Sequence, residues 1–264
     1  MTIVIHNYNE EHAINLFKSY KHSCSFCINK IANINFDLYI VDNSKDNLCE
    51  ERVSQLCSIL GIKYQYIKAE NKGYGHGHNI VISKISSDYH VICNPDIILC
   101  EDSLYQAISF MEKNLEVGQL IPDIYNSLGE REYLCKRNPT FMNQFLRRFA
   151  PEFLKVKMSN SMNHYVYLDK DYNKPIENVE YATGCFMFFR TEVLNNINGF
   201  DERYFLYMED ADITRELLRI SSNIYLPQFK VIHNWERASY KSKRMMLIAI
   251  VSYLRYWLKW RVKK

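Results

Sequence analysis

The sequence contains few glycines and prolines, eight and six among 264 residues, and neither an internal repeat nor a low-complexity segment. This scarcity argues against a disordered chain, because such chains are enriched in these residues and poor in apolar ones. Apolar residues make up 47% of the sequence. The chain can therefore bury a full hydrophobic core without disulfides, as one large α/β domain or two small ones.

The N-terminal residues lack the basic region and apolar stretch of a secretory signal peptide and instead predict a first β-strand. We therefore expect a cytoplasmic chain whose eight cysteines stay reduced. Cys24 and Cys27 form one Cys-x-x-Cys pair, with no second cysteine or histidine pair at metal-ligand spacing. We interpret them as partly buried thiols rather than as a zinc site.

Residues 237–264 contain no acidic side chain but nine lysines and arginines. Subtracting these nine charges from the total of +3 leaves residues 1–236 with a formal charge of −6. A basic tail on an acidic body predicts an anionic partner at that end. Nucleic acid is disfavoured as this partner, because the tail has no recognition motif and its apolar content suits lipid better.

The apolar run at residues 245–251 is too short to cross a bilayer, which takes about 20 apolar residues. We predict a domain at residues 1–238 and an appended basic amphipathic helix, residues 239–264, that lies on the anionic inner face of the cell membrane. Packing of this helix on the domain, or on the second subunit of a homodimer, is the alternative. The aromatic residues expected at the membrane interface are Tyr253, Tyr256, Trp257 and Trp260.

The first hundred residues alternate between short apolar runs and segments with helical periodicity. Strands are predicted at residues 2–8, 36–42, 63–68 and 89–93, with helices at 10–20, 46–60 and 77–86 between them. This order predicts an α/β fold with a Rossmann-like, mostly parallel, doubly wound sheet. Ligands bind such sheets at the carboxyl ends of the strands, where Asp42, residues 71–79 and Asp96 are expected.

The later part of the chain has a less regular pattern. The elements predicted there are a helix at 103–113, a strand at 117–125, a hairpin and a helix (141–149) within the polar stretch 126–178, a strand at 179–190, a helix at 210–220, a strand pair at 223–233 and a helix at 239–262.

Residues 71–79 form a glycine-rich segment that leads into a helix. Gly73, Gly75 and Gly77 would let the backbone approach a ligand, and a helix N-terminus favours an anion. The segment lacks the Gly-Lys-Ser/Thr of a Walker loop. His76 and His78 could resemble a metal pair, but we interpret them as exposed loop residues or as residues that pack against a sugar.

Two carboxylates follow predicted strands. Asp96 ends the Asn94, Pro95, Asp96 sequence, and a single carboxylate suffices for Mg²⁺ or Mn²⁺ when phosphates and water complete the coordination shell. Asp42 could accept a hydrogen bond from the imide N–H of uracil or thymine. A plain turn remains open for both sites, and for Asp42 it is an Asx turn.

Three polar residues near the end of the pattern are candidates for chemistry. Glu209 and Asp210 open an amphipathic helix, and Asp210 could deprotonate an acceptor hydroxyl. The alternative is that both acids only complement the helix dipole. His233 ends a strand and could bind a metal or a phosphate, although a strand-end histidine is often only a surface or capping residue.

Taken in order, these motifs resemble the family 2 glycosyltransferases of the GT-A fold. The motifs are residues 42–44, 71–79, 94–97, 183–190, 199–202 and 207–213, followed by His233. Within that family the chain is most similar to bacterial rhamnosyltransferases of O-antigen and cell-wall polysaccharide assembly. The resemblance implies an inverting reaction, a nucleotide-diphosphate sugar donor and a divalent metal ion, Mg²⁺ or Mn²⁺.

The resemblance also implies roles for individual residues. Asp96 would be the metal-binding aspartate of a reduced Asp-x-Asp motif, with Asn94 in its first acidic position. Asp210 would be the catalytic base, and His233 would help to hold the metal or the diphosphate. The residues expected to bind the donor are Asn7, Asp42, Asn71, Gly73, Gly75, Asn79, Asn94 and Glu209.

The expected function is transfer of rhamnose from dTDP-rhamnose to a polyprenyl-diphosphate-linked saccharide, by an enzyme peripheral to the inner face of the cell membrane. A UDP-hexose or UDP-galactofuranose donor is the first alternative. A non-catalytic nucleotide- or glycan-binding protein of the same fold is the second, and donor hydrolysis without acceptor would exclude it.

Overall fold

The computed structural model describes residues 1–45, 48–140, 159–234 and 242–263. Its strands are, in chain order, β1 (Thr2–Ile5), β2 (Tyr39–Asp42), β3 (Gln65–Lys68), β4 (Tyr89–Cys93), β5 (Ile97–Leu99), β6 (Val117–Tyr125), β7 (Arg131–Glu132), β8 (Cys135–Lys136), β9 (Ile176–Glu177), β10 (Tyr181–Ala182), β11 (Phe186–Arg190) and β12 (Ser222–His233).

The central sheet has the strand order β3-β2-β1-β4-β11-β6-β12-β5. Strands β1 to β4 run parallel, as do β6 and β12, and β11 lies antiparallel between β4 and β6. This mostly parallel doubly wound sheet confirms the predicted fold class. Because β11 runs antiparallel with Phe186 in register with Cys93, its N-terminal end lies at the carboxyl edge of β4.

The helices cover both faces of the sheet. They are α1 (Glu10–Lys30), α2 (Leu48–Leu60), α3 (Tyr74–Ile82), α4 (Ser103–Met111), α5 (Ser159–Tyr165), α6 (Thr191–Asn196), α7 (Glu209–Leu217) and α8 (Lys243–Val262). One core cluster packs α1, α2 and α4 on one face, and a second packs α3, α6 and α7 on the other. Burial on both faces is typical of such sheets.

Helix α1 begins at the predicted residue, Glu10, and ends at Lys30, ten residues beyond the predicted end. Asn9 caps it by accepting a hydrogen bond from His12 N at 3.1 Å. The helix extends beyond residue 20 because Cys24 and Cys27 continue its buried face. Both thiols are buried, and burial raises the pKa of each to about 12.

Several predicted elements differ in the structure. Helix α3 begins at Tyr74, inside the glycine-rich segment, rather than at residue 77. The predicted strand pair at 223–233 is wrong, because β12 is one long strand with a register irregularity between Leu226 and Lys230. The predicted helix at 141–149 lies outside the described residues.

The strand predicted at residues 179–190 is interrupted. Residues 183–185 separate β10 from β11, and we call them the β10–β11 bend. Strand β10 pairs with β8 in a separate two-stranded sheet, whereas β11 belongs to the central sheet. The bend therefore lies at the carboxyl edge of the central sheet, where the chain passes from one sheet to the other.

Candidate active site

The β10–β11 bend contacts three of the predicted motifs through its backbone. The carbonyl of Cys185 accepts a hydrogen bond from Asn94 N at 2.9 Å. Gly184 N donates to Asp210 Oδ2 at 3.1 Å, and the Gly184 carbonyl accepts from Tyr74 Oη at 2.6 Å. The bend thus holds together the end of β4, the glycine-rich helix α3 and the start of α7.

Asp210 is the second residue of α7, and hydrogen bonds hold its carboxylate on both sides. Oδ2 accepts from Gly184 N and from Tyr181 Oη, each at 3.1 Å, and Oδ1 accepts from Ala211 N at 3.0 Å. A side chain on Gly184 would crowd Asp210, because its Cβ would lie 3.0 Å from that of Asp210. The carboxylate is therefore fixed in one orientation, as a general base requires.

A second group of side chains lies where β5 and β12 meet. His233 Nε2 is 3.4 Å from Asp96 Oδ2, and His233 Nδ1 is 3.4 Å from Glu132 Oε2. Burial disfavours the charged imidazole, but the two carboxylates outweigh burial and raise the pKa of His233 to about 9. Glu132 was not predicted from the sequence, where it is one acid in an irregular polar stretch.

The residues around Asp96 fit a divalent cation in part. Its Oδ1 atom is buried and has no hydrogen-bond partner among the described residues. His233 lies beside it, and Glu132 on the other ring nitrogen could orient the histidine as carboxylates do around metal-bound histidines. Within the described ranges no three histidine, cysteine or acidic side chains form a complete metal site. Diphosphate and water would have to supply the other ligands.

Glu209, the first residue of α7, is 5% exposed, and its Oε2 atom has no hydrogen-bond partner within the described part of the chain. Burial and then the charge of Asp210 raise its pKa well above the ordinary value. Burial therefore disfavours the charged form of Glu209. A protonated carboxyl group can donate a hydrogen bond as well as accept one.

The glycines of residues 71–79 allow close packing within the protein. A Cβ on Gly73, where φ is +122°, would lie 2.5 Å from the carbonyl oxygen of Phe205. A Cβ on Gly75 would lie 2.6 Å from Phe200 Cβ, and one on Gly77 would lie 2.9 Å from Val4. Close approach to a ligand was the expected reason for these glycines. A donor contact through Gly73 or Gly75 stays a prediction.

The histidines of the same segment differ from expectation. His78 is fully buried beside the rings of Tyr74 and Phe200, and burial lowers its pKa to about 3. The interpretation of His78 as an exposed loop residue is therefore wrong. His76 is part-exposed and pairs with Glu202 at 2.8 Å.

Asp42 lies at the end of β2 and is completely buried. Its Oδ1 accepts from the backbone and side chain of Ser44, and its Oδ2 accepts from Tyr66 Oη at 2.6 Å and Lys68 Nζ at 2.7 Å. Burial opposes ionisation, but these donors outweigh it and hold the pKa of Asp42 below its ordinary value. The Asx turn that the sequence left open is present. Recognition of a base stays a prediction.

The predicted asparagines lie at the same edge but make different contacts. Asn79 accepts from Phe200 N at 2.9 Å and donates to the Phe200 carbonyl at 2.8 Å, so it clamps the turn before α7. Asn71 Oδ1 accepts from Gly73 N at 3.3 Å. Asn7 is exposed and lines a crevice together with Pro95. The crevice places Asn7 beside the strand end that carries Asp96.

Sequence reasoning missed two further residues beside Asp210. Tyr181 is 6% exposed and donates to the carboxylate, and Lys136 Nζ lies 4.8 Å from the centre of the Tyr181 ring. Lys136 also donates to Thr183 Oγ1 at 3.0 Å. Both come from two-residue strands that carry no recognisable periodicity. A separate surface cavity of about 480 Å³, between α1 and β5, is lined by none of the predicted site residues.

Comparison with known proteins identifies the family. The family model for glycosyl transferase family 2 matches residues 2–197. The chain belongs to glycosyl transferase family 2. It is therefore a glycosyltransferase, an enzyme class that uses a nucleotide-sugar donor and a glycan acceptor.

Two curated relatives of this family 2 glycosyltransferase are rhamnosyltransferases. The chain is 28% identical over 205 residues to rhamnosyltransferase WbbL of Escherichia coli. That match covers 74% of this chain and 71% of WbbL. It is 25% identical over 176 residues to the N-acetylglucosaminyl-diphospho-decaprenol L-rhamnosyltransferase of Mycobacterium tuberculosis. That match covers 62% of this chain and 56% of the mycobacterial protein.

Solved glycosyltransferase structures share the GT-A fold with this chain. S. aureus TarS 1-349 in complex with UDP matches with a TM-score of 0.56 and 14% identity, covering 96% of this chain and 65% of that one. GalNAc-T7 with UDP, GalNAc and Mn²⁺ matches with a TM-score of 0.61 and 11% identity, covering 90% and 43%. The chain spans less than two thirds of either solved chain. The predicted GT-A fold is confirmed.

Helix α8 lies beyond the part of the glycosyltransferase that the family model matches, and one face of it packs on α7. Ser252, Tyr256 and Trp260 are buried on that inner face. Trp260 Nε1 donates to Asp212 Oδ1 at 2.8 Å, and Lys259 Nζ lies 2.6 Å from Asp212 Oδ2. Two of the aromatic residues expected at a membrane interface, Tyr256 and Trp260, are thus inside the protein.

The opposite face of α8 is exposed and apolar. Its exposed apolar residues include Leu247, Ile250, Val251, Leu254, Trp257 and Leu258. We call this set the outer face of α8. None of the helices in the described residues combines the length and hydrophobicity that crossing a bilayer requires.

Proposed function

We propose that this family 2 glycosyltransferase moves rhamnose from dTDP-rhamnose, with inversion, to a polyprenyl-diphosphate-linked saccharide in bacterial surface polysaccharide synthesis. The observation that carries the proposal is the β10–β11 bend, whose backbone binds both Asp210 and the strand end that leads to Asp96. The names of the two curated relatives support rhamnose as the sugar. The name of the mycobacterial relative supports a lipid diphosphate acceptor.

In the proposed mechanism the acceptor hydroxyl attacks the anomeric carbon from the side opposite the diphosphate. Asp210 takes the proton of that hydroxyl while the new C–O bond forms. The bond to the diphosphate breaks, and its electron pair leaves on the diphosphate oxygen. Tyr181 and Gly184 keep Asp210 aimed at the acceptor. A base of this kind contributes roughly 10²–10⁴-fold to the rate.

The opposite side of the site would hold the diphosphate. Asp96 and His233 are the residues that would hold Mg²⁺ or Mn²⁺, with His233 losing its proton from Nε2 on binding the ion and Glu132 orienting the ring. When bound there, the ion would neutralise charge that develops on the departing diphosphate. Glu209, whose buried Oε2 atom has no hydrogen-bond partner among the described residues, could bind the donor, and in its protonated form it would donate a hydrogen bond. The remaining predicted donor contacts are Asn7, Asp42, Asn71, Gly73, Gly75, Asn79 and Asn94.

A donor panel tests this function. The purified chain is incubated with dTDP-rhamnose, UDP-hexose or UDP-galactofuranose, with polyprenyl-diphosphate-linked N-acetylglucosamine as acceptor, with and without Mn²⁺. We expect product and dTDP from dTDP-rhamnose alone. Product from a UDP-sugar instead would show that the proposed donor is wrong but that the chain still catalyses sugar transfer. Nucleotide binding without transfer or hydrolysis in any arm would favour a non-catalytic protein.

We further propose that the outer face of α8 binds the anionic inner surface of the cell membrane, near a lipid-linked acceptor. Apolar residues at Leu247, Leu254 and Leu258 are flanked by exposed Lys243 and Arg244, as in helices that lie in a membrane interface. Each lysine or arginine near an anionic surface adds about 1 kcal/mol. Helix α8 carries no acidic residue to oppose that attraction.

Outer-face substitutions test membrane binding better than truncation, because truncation would also remove the buried residues of α8. Leu254→Ser with Leu258→Ser should reduce flotation with vesicles of anionic lipid, and added salt should weaken wild-type binding. Leu128→Ser, at an exposed leucine between β6 and β7, is the control. Wild-type protein that ignores such vesicles at low salt, or a dimer that these substitutions dissociate, would contradict the proposal.

A further inference from the structure

The N-terminus of helix α7, which carries Asp210, is poorly stabilised by local interactions. It has nine residues, and helices this short are marginal in isolation. Its N-cap is Met208, which makes no side-chain cap hydrogen bond. Tyr207 and Met208 both have positive φ angles, +70° and +69°, which non-glycine residues rarely adopt. The surrounding structure must therefore hold this helix in place.

Lys259 of α8 supplies one support. Its ammonium group lies 2.6 Å from Asp212 Oδ2, 2.9 Å from Glu216 Oε1 and 3.1 Å from Asp201 Oδ2. Asp212 and Glu216 are one turn apart on α7, whereas Asp201 belongs to the turn that precedes it. The side chain of Lys259 is only 11% exposed. One buried cation thus ties α8 to both ends of the segment that contains Asp210.

An aromatic cluster supplies a second support. Tyr256 and Trp260 of α8 belong to one buried cluster with Tyr181, which donates to Asp210 Oδ2. The guanidinium of Arg215, on α7, lies 4.3 Å from the centre of the Trp260 ring. Two of the elements that hold Asp210, its own helix and the side chain of Tyr181, therefore pack with residues of α8.

We propose that α8 positions the catalytic base of this enzyme and that Lys259 is the positioning residue at its centre. The inference rests on the proposed function, because it takes Asp210 as the base. Lys259 contacts Asp201, Asp212 and Glu216 rather than Asp210 itself. It acts by fixing α7, so that the Asp210 carboxylate stays within reach of the acceptor hydroxyl. Small misplacements of a reacting group can lower the rate by about 100-fold.

Lys259→Met tests the inference, because it keeps most of the side-chain stem and removes the charge. We expect turnover to fall by roughly 10- to 100-fold, with the Kd for dTDP within about twofold of wild type. Lys259→Arg should restore a large part of the turnover. Lys263→Met is the matched control, since Lys263 lies on the same helix, 2.6 Å from the same Glu216, but is 42% exposed.

Four outcomes would overturn the inference. Turnover in Lys259→Met equal to that of the Lys263→Met control would show that Lys259 has no positioning role. An equal loss of dTDP affinity and turnover, or a failure of Lys259→Arg to recover activity, would indicate general damage to the fold. Wild-type protein that transfers no sugar from any donor would instead overturn the proposed function, and this inference with it.

Trp260→Phe decides the question if Lys259→Met does not fold. It keeps a ring in the aromatic cluster but removes the N–H that donates to Asp212. We expect the same signature, a lower turnover with unchanged dTDP affinity, at a smaller size of roughly threefold to tenfold. Wild-type turnover in a folded Trp260→Phe protein would contradict the proposed positioning.

Discussion

The two sides of the candidate site differ in how far their polar groups are satisfied by the protein itself. On the acceptor side, Asp210 accepts three hydrogen bonds from its surroundings. On the diphosphate side, Asp96 has a buried oxygen without a partner among the described residues, and Glu209 has another. A buried polar atom left without a partner costs free energy, so natural proteins keep few of them.

Under the proposed function, this difference separates a base that the protein already orients from groups that would bind the donor or the metal ion. In the proposed mechanism the general base needs a fixed direction before the acceptor arrives, and the hydrogen bonds to Asp210 would provide it. Groups that bind a charged donor instead gain their partners from that donor. The contrast predicts that substitutions on the acceptor side lower turnover, whereas substitutions on the diphosphate side lower donor or metal affinity.

Asp210→Asn should give the largest effect on this contrast. The amide keeps the shape and can still accept from Gly184 N, but it cannot take a proton. We expect turnover to fall by roughly 10²–10⁴-fold while dTDP affinity stays within about twofold. Steady-state kinetics and calorimetric titration with dTDP measure the two quantities. Asp88→Asn, at an exposed aspartate, is the control. Near-normal turnover would exclude Asp210 as the base.

Asp96→Ala should give the converse result, with the loss in binding. Without this carboxylate we expect weaker dTDP affinity and no change in that affinity when Mn²⁺ is added. Thermal shift with dTDP, UDP and GDP, each with and without Mn²⁺, provides the measurement, because a ligand that binds only the folded state raises its stability. If affinity and metal response both persisted, Asp96 would be only a turn residue.

The fold was predictable where one type of periodicity ran through an element. Strands β4 and β6 match their predicted bounds, and Gly61 ends α2 with a positive φ as expected. Prediction failed where tertiary contacts decide the outcome. The β10–β11 bend leaves the sheet to bind Asp210 and Asn94, and no local pattern in an apolar stretch signals such a break. Helix α3 starts early because Tyr74 N bonds to the carbonyl of Phe205.

The site was predictable only as a set of motifs, since their partners come from distant parts of the chain. Glu132 lies 101 residues before His233, and Tyr181 lies 29 residues before Asp210. Contacts between residues so far apart in the chain leave no local pattern in the sequence. The glycines of residues 71–79 show a related limit. Their small size was evident, but it serves packing against Phe205, Phe200 and Val4.

Glu132→Gln, on the proposed diphosphate side, should weaken metal binding, with an effect smaller than that of Asp96→Ala. Glutamine keeps the size but removes the charge that faces His233 Nδ1. Loss of such an orienting carboxylate typically weakens metal affinity by roughly 10- to 100-fold. Titration of Mn²⁺ into the dTDP complex measures it. Glu130→Gln, at an exposed glutamate of the same hairpin, should leave it unchanged. Unchanged Mn²⁺ affinity in Glu132→Gln would assign Glu132 to structure alone.

The smallest predicted effect concerns the attachment of α8 to α7 and depends on pH. Burial alone would raise the pKa of Glu216, but hydrogen bonds from Lys263 and Lys259 outweigh burial and lower its pKa to about 2. A carboxyl whose folded pKa lies below its ordinary value of 4.5 stabilises the fold fully above pH 4.5, and this contribution is lost as the pH falls through about 2. Since such partly exposed ion pairs contribute about 0.2–1 kcal/mol, Glu216→Gln should lower the Tm near pH 7 by roughly 0.4–4 °C. The difference from wild type should shrink as the pH is lowered from about 4.5 to about 2.

A Tm series across this range measures that difference, with Glu192→Gln, at an exposed glutamate of α6, as the control. If the Tm curves of Glu216→Gln and wild type stayed parallel down to pH 2, the ion pairs of Glu216 would add nothing to the attachment of α8, and Asp201 and Asp212 would remain as the acidic partners of Lys259.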